Sequence, residues 1–342
     1  MNNLPILSAI VVAFVITTIL GFWLVPFLRK IKYGQTILDI GPKWHKSKQG
    51  TPTMGGILFI IGICAGGALG YGMLVSGTGG ALFSHRLVDH MRILLGLLMA
   101  LGFGVIGFMD DYIKVVKKRN LGLTATQKMV MQFFVAILYL GGLYLSGDRS
   151  SIVLMPFLGQ WNLGIFYWPL AVLGIVYLVN VVNITDGIDG LCTSVTFMVS
   201  LGFLVLSAVL RQDGIGMLAG ALAGGCIGFL VWNFYPAKVF MGDTGSLFLG
   251  GMVVALAFGL GVPVYLIFMG LIYIVEGLSV VIQVIYFKFT RITTGAGKRL
   301  FKMSPIHHHF EMCGWSETKI VVTFSLVQLL GCVVAILAAM RI

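Results

Sequence analysis

Three short acidic motifs contain the residues best suited to chemistry. Asp110-Asp111, Asp186-Gly187-Ile188-Asp189 and Gly242-Asp243-Thr244-Gly245 hold five of the twelve acidic residues, and each stands beside the end of a long apolar run. A carboxylate at the edge of a hydrocarbon layer is costly unless it is paired, hydrated or metal-bound. Carboxylates are also the ligands that Mg²⁺ prefers. The three motifs therefore predict a charged site rather than ordinary surface.

Asp110 and Asp111 close one apolar run, and on a helix neighbouring side chains point about 100° apart. They do not easily share one role. One can face a catalytic cleft while the other meets a lysine of the loop that begins at Lys114. The spacing leaves open which does which, and a solvated helix end is the alternative.

Asn180, Asn183, Asp186 and Asp189 recur at every third residue, so adjacent members share a helix face. For Asn180 we favour a hydrogen bond to another helix. The run from Asn183 to Asp189 offers carbonyl and carboxylate oxygens that suit a hard cation, or a ribose and a base edge. We expect Gly187 to end the regular helix.

Asp243 lies in the segment Phe240-Met-Gly-Asp-Thr-Gly-Ser246, which precedes another apolar run. Its glycines expose backbone N–H groups, and a helix N-terminus favours an anion such as phosphate. Asp243 is the leading candidate for a magnesium ligand. The alternative is an ordinary helix cap.

His307, His308 and His309 are half of the six histidines. Contiguous side chains splay in different directions, so a three-histidine zinc site is not expected. Imidazoles with a pKa near 6.5 donate hydrogen bonds to phosphate oxygens instead, and the alternative is a polar loop. Glu276, in a polar stripe with Ser279 and Gln283, is expected to make a structural bond near the middle of the membrane.

These motifs must be positioned by membrane-spanning helices. The chain is 58% hydrophobic and only 10% charged, against about 25% charged in soluble domains. Runs of about 20 apolar residues, enough to cross the hydrocarbon layer, recur throughout. We predict an all-α polytopic integral membrane protein, with residues 1–342 forming a single transmembrane domain with catalytic cytosolic loops. The ten predicted spans are 6–28, 54–75, 93–110, 129–146, 166–185, 193–211, 215–233, 245–261, 263–287 and 320–340.

The distribution of lysine and arginine predicts the orientation. Alternate loops carry 18 and 5 of these residues, and the richer set belongs in the cytosol. Both termini are then extracytoplasmic and all three acidic motifs face the cytosol. The net charge of +11 fits anionic lipid headgroups or a phosphate-bearing substrate better than nucleic acid, which we do not expect as a partner.

Together with Lys302-Met-Ser-Pro-Ile-His-His-His-Phe-Glu311, the acidic motifs resemble the phospho-N-acetylmuramoyl-pentapeptide-transferase family, a branch of the polyprenyl-phosphate N-acetylhexosamine-1-phosphate transferases. The histidine segment distinguishes this branch. The resemblance implies Mg²⁺-dependent transfer of phospho-MurNAc-pentapeptide from UDP-MurNAc-pentapeptide to undecaprenyl phosphate, which gives lipid I and UMP for peptidoglycan synthesis. It also implies a homodimer in the bacterial cytoplasmic (inner) membrane, with the active site facing the cytosol.

The same resemblance implies roles for individual residues. Asp243 holds the metal with support from Asn183, which also contacts substrate. Asp110 is the candidate base, with Asp111 assisting, and Phe240 stacks on uracil. The implied nucleotide-side residues are Lys48, Thr53, Asp186, Gly187, Asp189, Asn233, Phe240, Gly242 and Gln283. The implied phosphate contacts are Lys114, Lys118, Lys128, His307, His308 and His309, of which His308 is the strongest catalytic candidate.

Two other functions fit parts of the pattern. A GlcNAc-1-phosphate transferase of the same superfamily shares the aspartates. An ion-coupled transporter also carries intramembrane acids, but it needs them near the midplane, where only Glu276 is expected.

Overall fold

The computed structural model describes residues 3–30, 48–77, 87–116 and 122–341. Ten helices in this part are long and apolar enough to cross a membrane, which confirms the predicted number. The elements, in chain order, are α1 (Leu4–Lys30), α2 (Gly56–Gly77), α3 (Leu87–Val116), α4 (Ala125–Leu145), β1 (Ile152–Met155), β2 (Gly159–Asn162), α5 (Tyr167–Thr185), α6 (Leu191–Val209), α7 (Asp213–Asn233), α8 (Gly242–Gly259), α9 (Leu266–Met269), α10 (Leu271–Thr294), α11 (Ile306–Met312) and α12 (Glu317–Ala339).

Helix α8 lies at the centre of the bundle. Every residue from Thr244 to Gly259 is buried, whereas α1 and α4 expose one apolar face. Glycine permits this close packing: a Cβ at Gly251 would lie 2.7 Å from Ala100 Cα on α3, and one at Gly250 would lie 2.8 Å from Val179 Cα on α5. Small residues allow such backbone approaches between membrane helices. The middle of α8 is therefore held between α3 and α5.

The start of α4 is fixed by a capping box. The Thr124 hydroxyl accepts a hydrogen bond from Gln127 N, and the Gln127 side chain accepts one from Thr124 N. These two bonds satisfy backbone donors that the first turn of a helix leaves unpaired. Lys128 follows directly and is thereby placed in the first turn of α4.

The ninth span differs from its prediction of 263–287. A 3-10 turn (Pro263–Tyr265) and the four-residue helix α9 come first, and the chain breaks at Gly270 before α10 runs on to Thr294. Gln328 on α12 satisfies the broken backbone: its Oε1 accepts from Ile272 N at 3.0 Å, and its Nε2 donates to Met269 O at 2.8 Å. The run remains apolar across the break, so hydropathy did not reveal it.

A hairpin of β1 and β2 between α4 and α5 was not predicted. The strands pair antiparallel, with Val153 opposite Trp161, and the turn uses positive φ at Phe157 and Gly159. The hairpin is a small exception in a helical protein. That residues 1–342 form one transmembrane domain stays a prediction.

Candidate active site

Asp111 on α3 holds the start of α8. Its Oδ2 accepts hydrogen bonds from the Thr244 backbone N–H at 2.9 Å and from the Thr244 hydroxyl at 2.7 Å, and its Oδ1 accepts from Asp243 N at 3.2 Å. A carboxylate at a helix N-terminus satisfies unpaired N–H groups and interacts favourably with the helix dipole. Gly107, one turn earlier on α3, has no room for a Cβ because Asp243 O occupies that position. Asp111 is therefore committed to helix packing through both oxygens.

Asp110 stands beside Asp111 but has different partners. Its Oδ1 accepts from Leu123 N at 2.8 Å, and its Oδ2 lies 2.5 Å from Lys114 Nζ. Asp110, Asp111 and Asp243 each offer an oxygen within 4.8 Å of the others. Two of the three acidic motifs thus meet, as the sequence predicted. The aspartate cluster, as we call Asp110, Asp111 and Asp243, is the centre of the candidate site.

Two lysines neutralise the aspartate cluster. The Oδ2 atom of Asp243 lies 2.7 Å from Lys128 Nζ and 3.2 Å from Lys114 Nζ. Lys114 lies on α3, where it also contacts Asp110. Its contact with Asp243 therefore links α3 to the start of α8. Cationic side chains at this distance compensate buried carboxylates and leave positive charge for phosphate oxygens. The predicted site lysines Lys114 and Lys128 are therefore both at the cluster.

Asn183 on α5 supports Asp243 from the other side. Its Nδ2 donates to Asp243 Oδ1 at 3.0 Å and to Ser246 Oγ at 2.7 Å. The structure thus places Asn183 next to the candidate metal ligand. One turn earlier, Asn180 bonds Gln132 on α4 at 2.6 Å, which confirms the interhelical hydrogen bond expected there.

The loop after α5 carries the third acidic motif. Helix α5 ends at Thr185, and Asp186 and Gly187 follow in a turn. Desolvation, together with the negative charges of Asp243, Asp111 and Asp189, raises the pKa of Asp186 to about 8. The negative charges of the aspartate cluster therefore contribute to the raised pKa of Asp186.

Lys48 forms ion pairs with two acidic residues, Asp189 and Glu317. The Lys48 ammonium lies 2.7 Å from Asp189 Oδ1 and 2.6 Å from Glu317 Oε2. Glu317 also accepts from Asp189 N at 3.0 Å, and the second oxygen of Asp189 accepts from Ala237 N. The Lys48 cluster, meaning Lys48, Asp189 and Glu317, ties the segment before α2 to the starts of α6 and α12.

Two chain segments lie side by side between the aspartate cluster and the Lys48 cluster. Phe240 N donates to Pro52 O at 2.8 Å, and Gly55 N donates to Phe240 O at 2.8 Å. Gly242 has a φ of +70°, and a Cβ there would lie 2.7 Å from the Thr53 hydroxyl. Asn233 is buried and bonded to Thr193 Oγ1 and Val239 O, so it supports the Phe240 segment from behind.

The three histidines have different hydrogen-bond partners, although the rings of His307 and His308 lie against each other with centroids 4.2 Å apart, which the expected splaying did not anticipate. His307 is fully buried, and its Nδ1 forms a hydrogen bond with Glu276 Oε2 on α10 at 3.0 Å. His308 Nδ1 bonds Glu311 Oε2, while His309 Nδ1 accepts from Lys302 N. Glu276 thus makes the structural bond predicted for it. A Cβ at Gly187 would overlap His307 Nε2, so the Asp186–Asp189 loop packs directly on this histidine.

Gln283 fixes the segment that leads to the histidines. Its Oε1 accepts from Leu300 N at 3.1 Å and from Phe301 N at 2.9 Å. Gln283 is buried on α10, two turns after Glu276. The polar stripe read from the sequence is therefore the face of α10 that carries the histidine segment.

Comparisons with known proteins agree with this geometry. Residues 93–261 match the family described as Glycosyl transferase family 4, and residues 48–60 match phospho-N-acetylmuramoyl-pentapeptide-transferase signature 1. A phospho-N-acetylmuramoyl-pentapeptide-transferase of Heliobacterium modesticaldum is 45% identical over 335 residues, 98% of each chain. The chain belongs to the phospho-N-acetylmuramoyl-pentapeptide-transferase family. Relatives of the same name from Clostridium botulinum and Halalkalibacterium halodurans are each 44% identical, over 98% and 97% of this chain and 97% and 96% of their own.

The family signature begins at Lys48, a member of the Lys48 cluster, and it covers Thr53, whose hydroxyl lies beside Gly242. Lys118, the remaining predicted phosphate contact, lies outside the described residues. Sequence reasoning missed Glu317, Thr244 and Ser246. Ser316-Glu317 reads as an ordinary start of α12, and only the fold brings Glu317 to Lys48.

The aspartate cluster fits a magnesium ion by the chemistry of its donors. Three carboxylates from α3 and α8 converge with oxygens 4.8 Å or less apart, and Mg²⁺ is bound by such oxygens together with substrate phosphates. The carboxylate of Asp243 contacts the side chains of Lys114, Lys128 and Asn183, whereas Asp111 is held by backbone N–H groups of α8 and Asp110 by Leu123 N, so Asp243 is the candidate to hold the ion.

Proposed function

We propose that this protein transfers phospho-MurNAc-pentapeptide from UDP-MurNAc-pentapeptide to undecaprenyl phosphate, producing lipid I and UMP for peptidoglycan synthesis. The observation that carries the proposal is the aspartate cluster, held at the membrane-end junction of α3 and α8 and flanked by Lys114 and Lys128. One substrate is water-soluble and the other is anchored in the bilayer. The reaction therefore belongs at a helix end, where both can reach the same residues.

The reaction breaks the phosphorus–oxygen bond between the sugar phosphate and UMP. It forms a new one between the sugar phosphate and an oxygen of undecaprenyl phosphate. One diphosphate linkage replaces another, so the equilibrium is near balanced and the reaction is reversible. Such transfers need positioning and charge neutralisation more than covalent help. Asp243, to which Asn183 donates a hydrogen bond, would hold Mg²⁺, and the ion would supply charge neutralisation for the diphosphate oxygens.

Asp110 is the proposed base that removes the proton from undecaprenyl phosphate. Its carboxylate contacts the side chains of Lys114 and Asp243, whereas both oxygens of Asp111 are fixed by the start of α8. A base must have an oxygen that can reach the acceptor, which favours Asp110. Asp111 assists by holding Asp243 in place. Lys114 and Lys128 then exchange carboxylate contacts for substrate phosphate contacts.

The nucleotide is proposed to bind between the aspartate cluster and the Lys48 cluster. Phe240 lies at this position with its side chain half-buried and is available to stack on uracil. The remaining predicted substrate contacts whose positions are described above are Lys48, Thr53, Asn183, Asp186, Gly187, Asp189, Asn233, Gly242, Gln283, His307, His308 and His309. Lys118 is proposed as a phosphate contact from the resemblance alone. His308 keeps the role of a phosphate contact and catalytic candidate.

We place the protein as a homodimer in the bacterial cytoplasmic membrane, with both termini outside and the aspartate cluster facing the cytosol. The charge distribution of 18 against 5 basic residues supports this orientation.

A UMP-release assay tests the proposal. The purified full chain is given undecaprenyl phosphate with UDP-MurNAc-pentapeptide or UDP-GlcNAc, each with Mg²⁺ or with EDTA. We expect UMP only with Mg²⁺, and at least about tenfold faster with the pentapeptide substrate. Equal or faster turnover of UDP-GlcNAc, or no UMP from either sugar nucleotide, would reject the assignment.

A further inference from the structure

Two cavities adjoin each other at the end of the bundle far from the aspartate cluster. A polar cavity of about 130 Å³ is lined by residues that include Arg92, Asp148, Ser150 and Trp168. An apolar groove of about 310 Å³ runs beside it between α5 and the broken ninth span. Tyr167, Phe258 and Pro263 line both, so the two spaces are neighbours.

The polar cavity lies about one membrane thickness from the proposed chemistry. Arg92 and Asp110 are both on α3, and Asp110 comes 18 residues after Arg92. At 1.5 Å per residue, their Cα atoms are separated by roughly 27 Å along the helix. A lipid whose headgroup occupies this cavity therefore lies in the opposite leaflet from a lipid that reaches Asp110.

The cavity presents one positive and one negative group that remain capable of further bonds. Arg92 Nε donates to Asp148 Oδ2 at 2.7 Å, and each side chain is 18% exposed. Within the described part of the chain, the two terminal nitrogens of Arg92 and the other oxygen of Asp148 have no hydrogen-bond partner. Buried charged groups of this kind gain from additional bonds that satisfy their remaining donors and acceptors. The pair is neutral overall, so it complements a zwitterion better than an anion.

The apolar groove suits a hydrocarbon chain. It is lined by Leu170, Ala171, Tyr177 and Ile267 among others, and the backbone of α5 is open at Gly174, where a Cβ would meet nothing within 4 Å. Tyr167 lines both the groove and the cavity, and Trp168 lines the cavity, which is the placement that aromatic residues favour at a membrane–water interface. A polar pocket at the end of an apolar groove matches the shape of a lipid, in which a polar headgroup is followed by an acyl chain.

We propose that these adjoining spaces form a site for a zwitterionic phospholipid with an ammonium headgroup, in the leaflet opposite the aspartate cluster. The phosphate accepts hydrogen bonds from the terminal nitrogens of Arg92, and the ammonium donates to Asp148. One acyl chain lies along α5 over Gly174. This lipid is neither the acceptor nor a product of the proposed transfer. It is a resident ligand of the membrane-spanning bundle.

The test measures lipid retention directly and does not depend on the transferase activity. The purified full chain is exchanged into detergent with equal phosphatidylethanolamine and phosphatidylglycerol, washed, and analysed by native mass spectrometry. We expect retained phosphatidylethanolamine in the wild type and about tenfold less in Arg92→Gln, from the loss of charge-assisted hydrogen bonds. Arg149→Gln is the matched control, because Arg149 packs on Tyr144 outside the cavity.

Gly174→Leu tests the groove separately. A Cβ at Gly174 meets nothing within 4 Å and Gly174 lines the groove, so the variant is expected to fold with the leucine side chain in the chain path. We expect the same loss of phosphatidylethanolamine with an unchanged KM for undecaprenyl phosphate. Retention of phosphatidylglycerol at the level of phosphatidylethanolamine, retention unaffected by both substitutions, or a raised KM for undecaprenyl phosphate in Gly174→Leu would each overturn the proposal.

Discussion

Asp111 and Thr244 join α3 to the start of α8 through two hydrogen bonds to one carboxylate oxygen, from the Thr244 backbone N–H and from its hydroxyl. The neighbouring Asp110 instead contacts the side chains of Lys114 and Asp243 and accepts a hydrogen bond from Leu123 N. Two adjacent aspartates thus have different tasks. Asp111 positions the start of α8, and Asp110 is the proposed base.

Asparagine substitutions should separate these tasks. Asp111→Asn places an amide against two donors, so we expect a loss of about 1–3 kcal/mol in the free energy of unfolding. Asp110→Asn should change thermal stability much less but lower turnover by about 10²-fold or more, as expected when a general base is lost. Thermal unfolding and UMP release measure the two effects. The same stability loss in both variants, with equal turnover, would contradict this division.

Asp186 should give thermal stability a characteristic pH dependence. Its pKa is raised to about 8 in the folded state, against about 3.9 in an unfolded chain. Between these values the folded state holds a proton that the unfolded state has released, so this contribution is fully present below pH 4 and is lost as pH rises through 8. We therefore expect the wild type to lose stability from pH 5 to pH 8 in EDTA relative to Asp186→Asn. Parallel melting curves across that range would refute the assignment.

Gly187→Ala should disturb the histidine segment without altering the fold elsewhere. The added Cβ would overlap His307 Nε2 and push the ring away from Glu276. We expect lower turnover and a higher KM for the UDP-linked substrate. Gly141→Ala on α4 is the control, because a Cβ there meets nothing within 4 Å. If both alanine variants behaved like the wild type, contact between Gly187 and His307 would not matter for substrate binding.

Gln328 should be required to hold the break in the ninth span. Gln328→Leu leaves Ile272 N–H and Met269 O unpaired, which we expect to cost about 1–3 kcal/mol. Since α10 carries Glu276 and Gln283, the KM for the nucleotide substrate should also rise. Ser325→Ala, one turn earlier on α12, is the matched control because the buried Ser325 hydroxyl has no hydrogen-bond partner in the described part of the chain. Equal stability of the two variants would remove the role of Gln328.

The features of the fold and the site that depend on segment length and local pattern could be predicted from the sequence. Ten spans follow from the spacing of apolar runs, and the meeting of Asp110, Asp111 and Asp243 follows from their positions at helix ends. The break at Gly270 was missed because Leu266 to Ile274 is continuously apolar and the compensating polar group, Gln328, comes from another helix.

The different contacts of Asp110 and Asp111 could not be predicted from the sequence either. Their difference depends on Thr244, which lies more than 130 residues away in the chain. Glu317 was missed for the same kind of reason, since its local pattern is that of a helix start and its partner Lys48 is 269 residues distant. Periodicity locates side chains on a helix but does not identify partners on other helices.

The most direct test of the central claim is a titration of UMP release with Mg²⁺ in the wild type and in Asp243→Asn. The substitution preserves side-chain shape but removes the charge that Lys114 and Lys128 now neutralise. We predict that Asp243→Asn is folded, with turnover reduced by about 10³-fold or more at every Mg²⁺ concentration. Wild-type turnover by Asp243→Asn with an unchanged Mg²⁺ requirement would contradict the account.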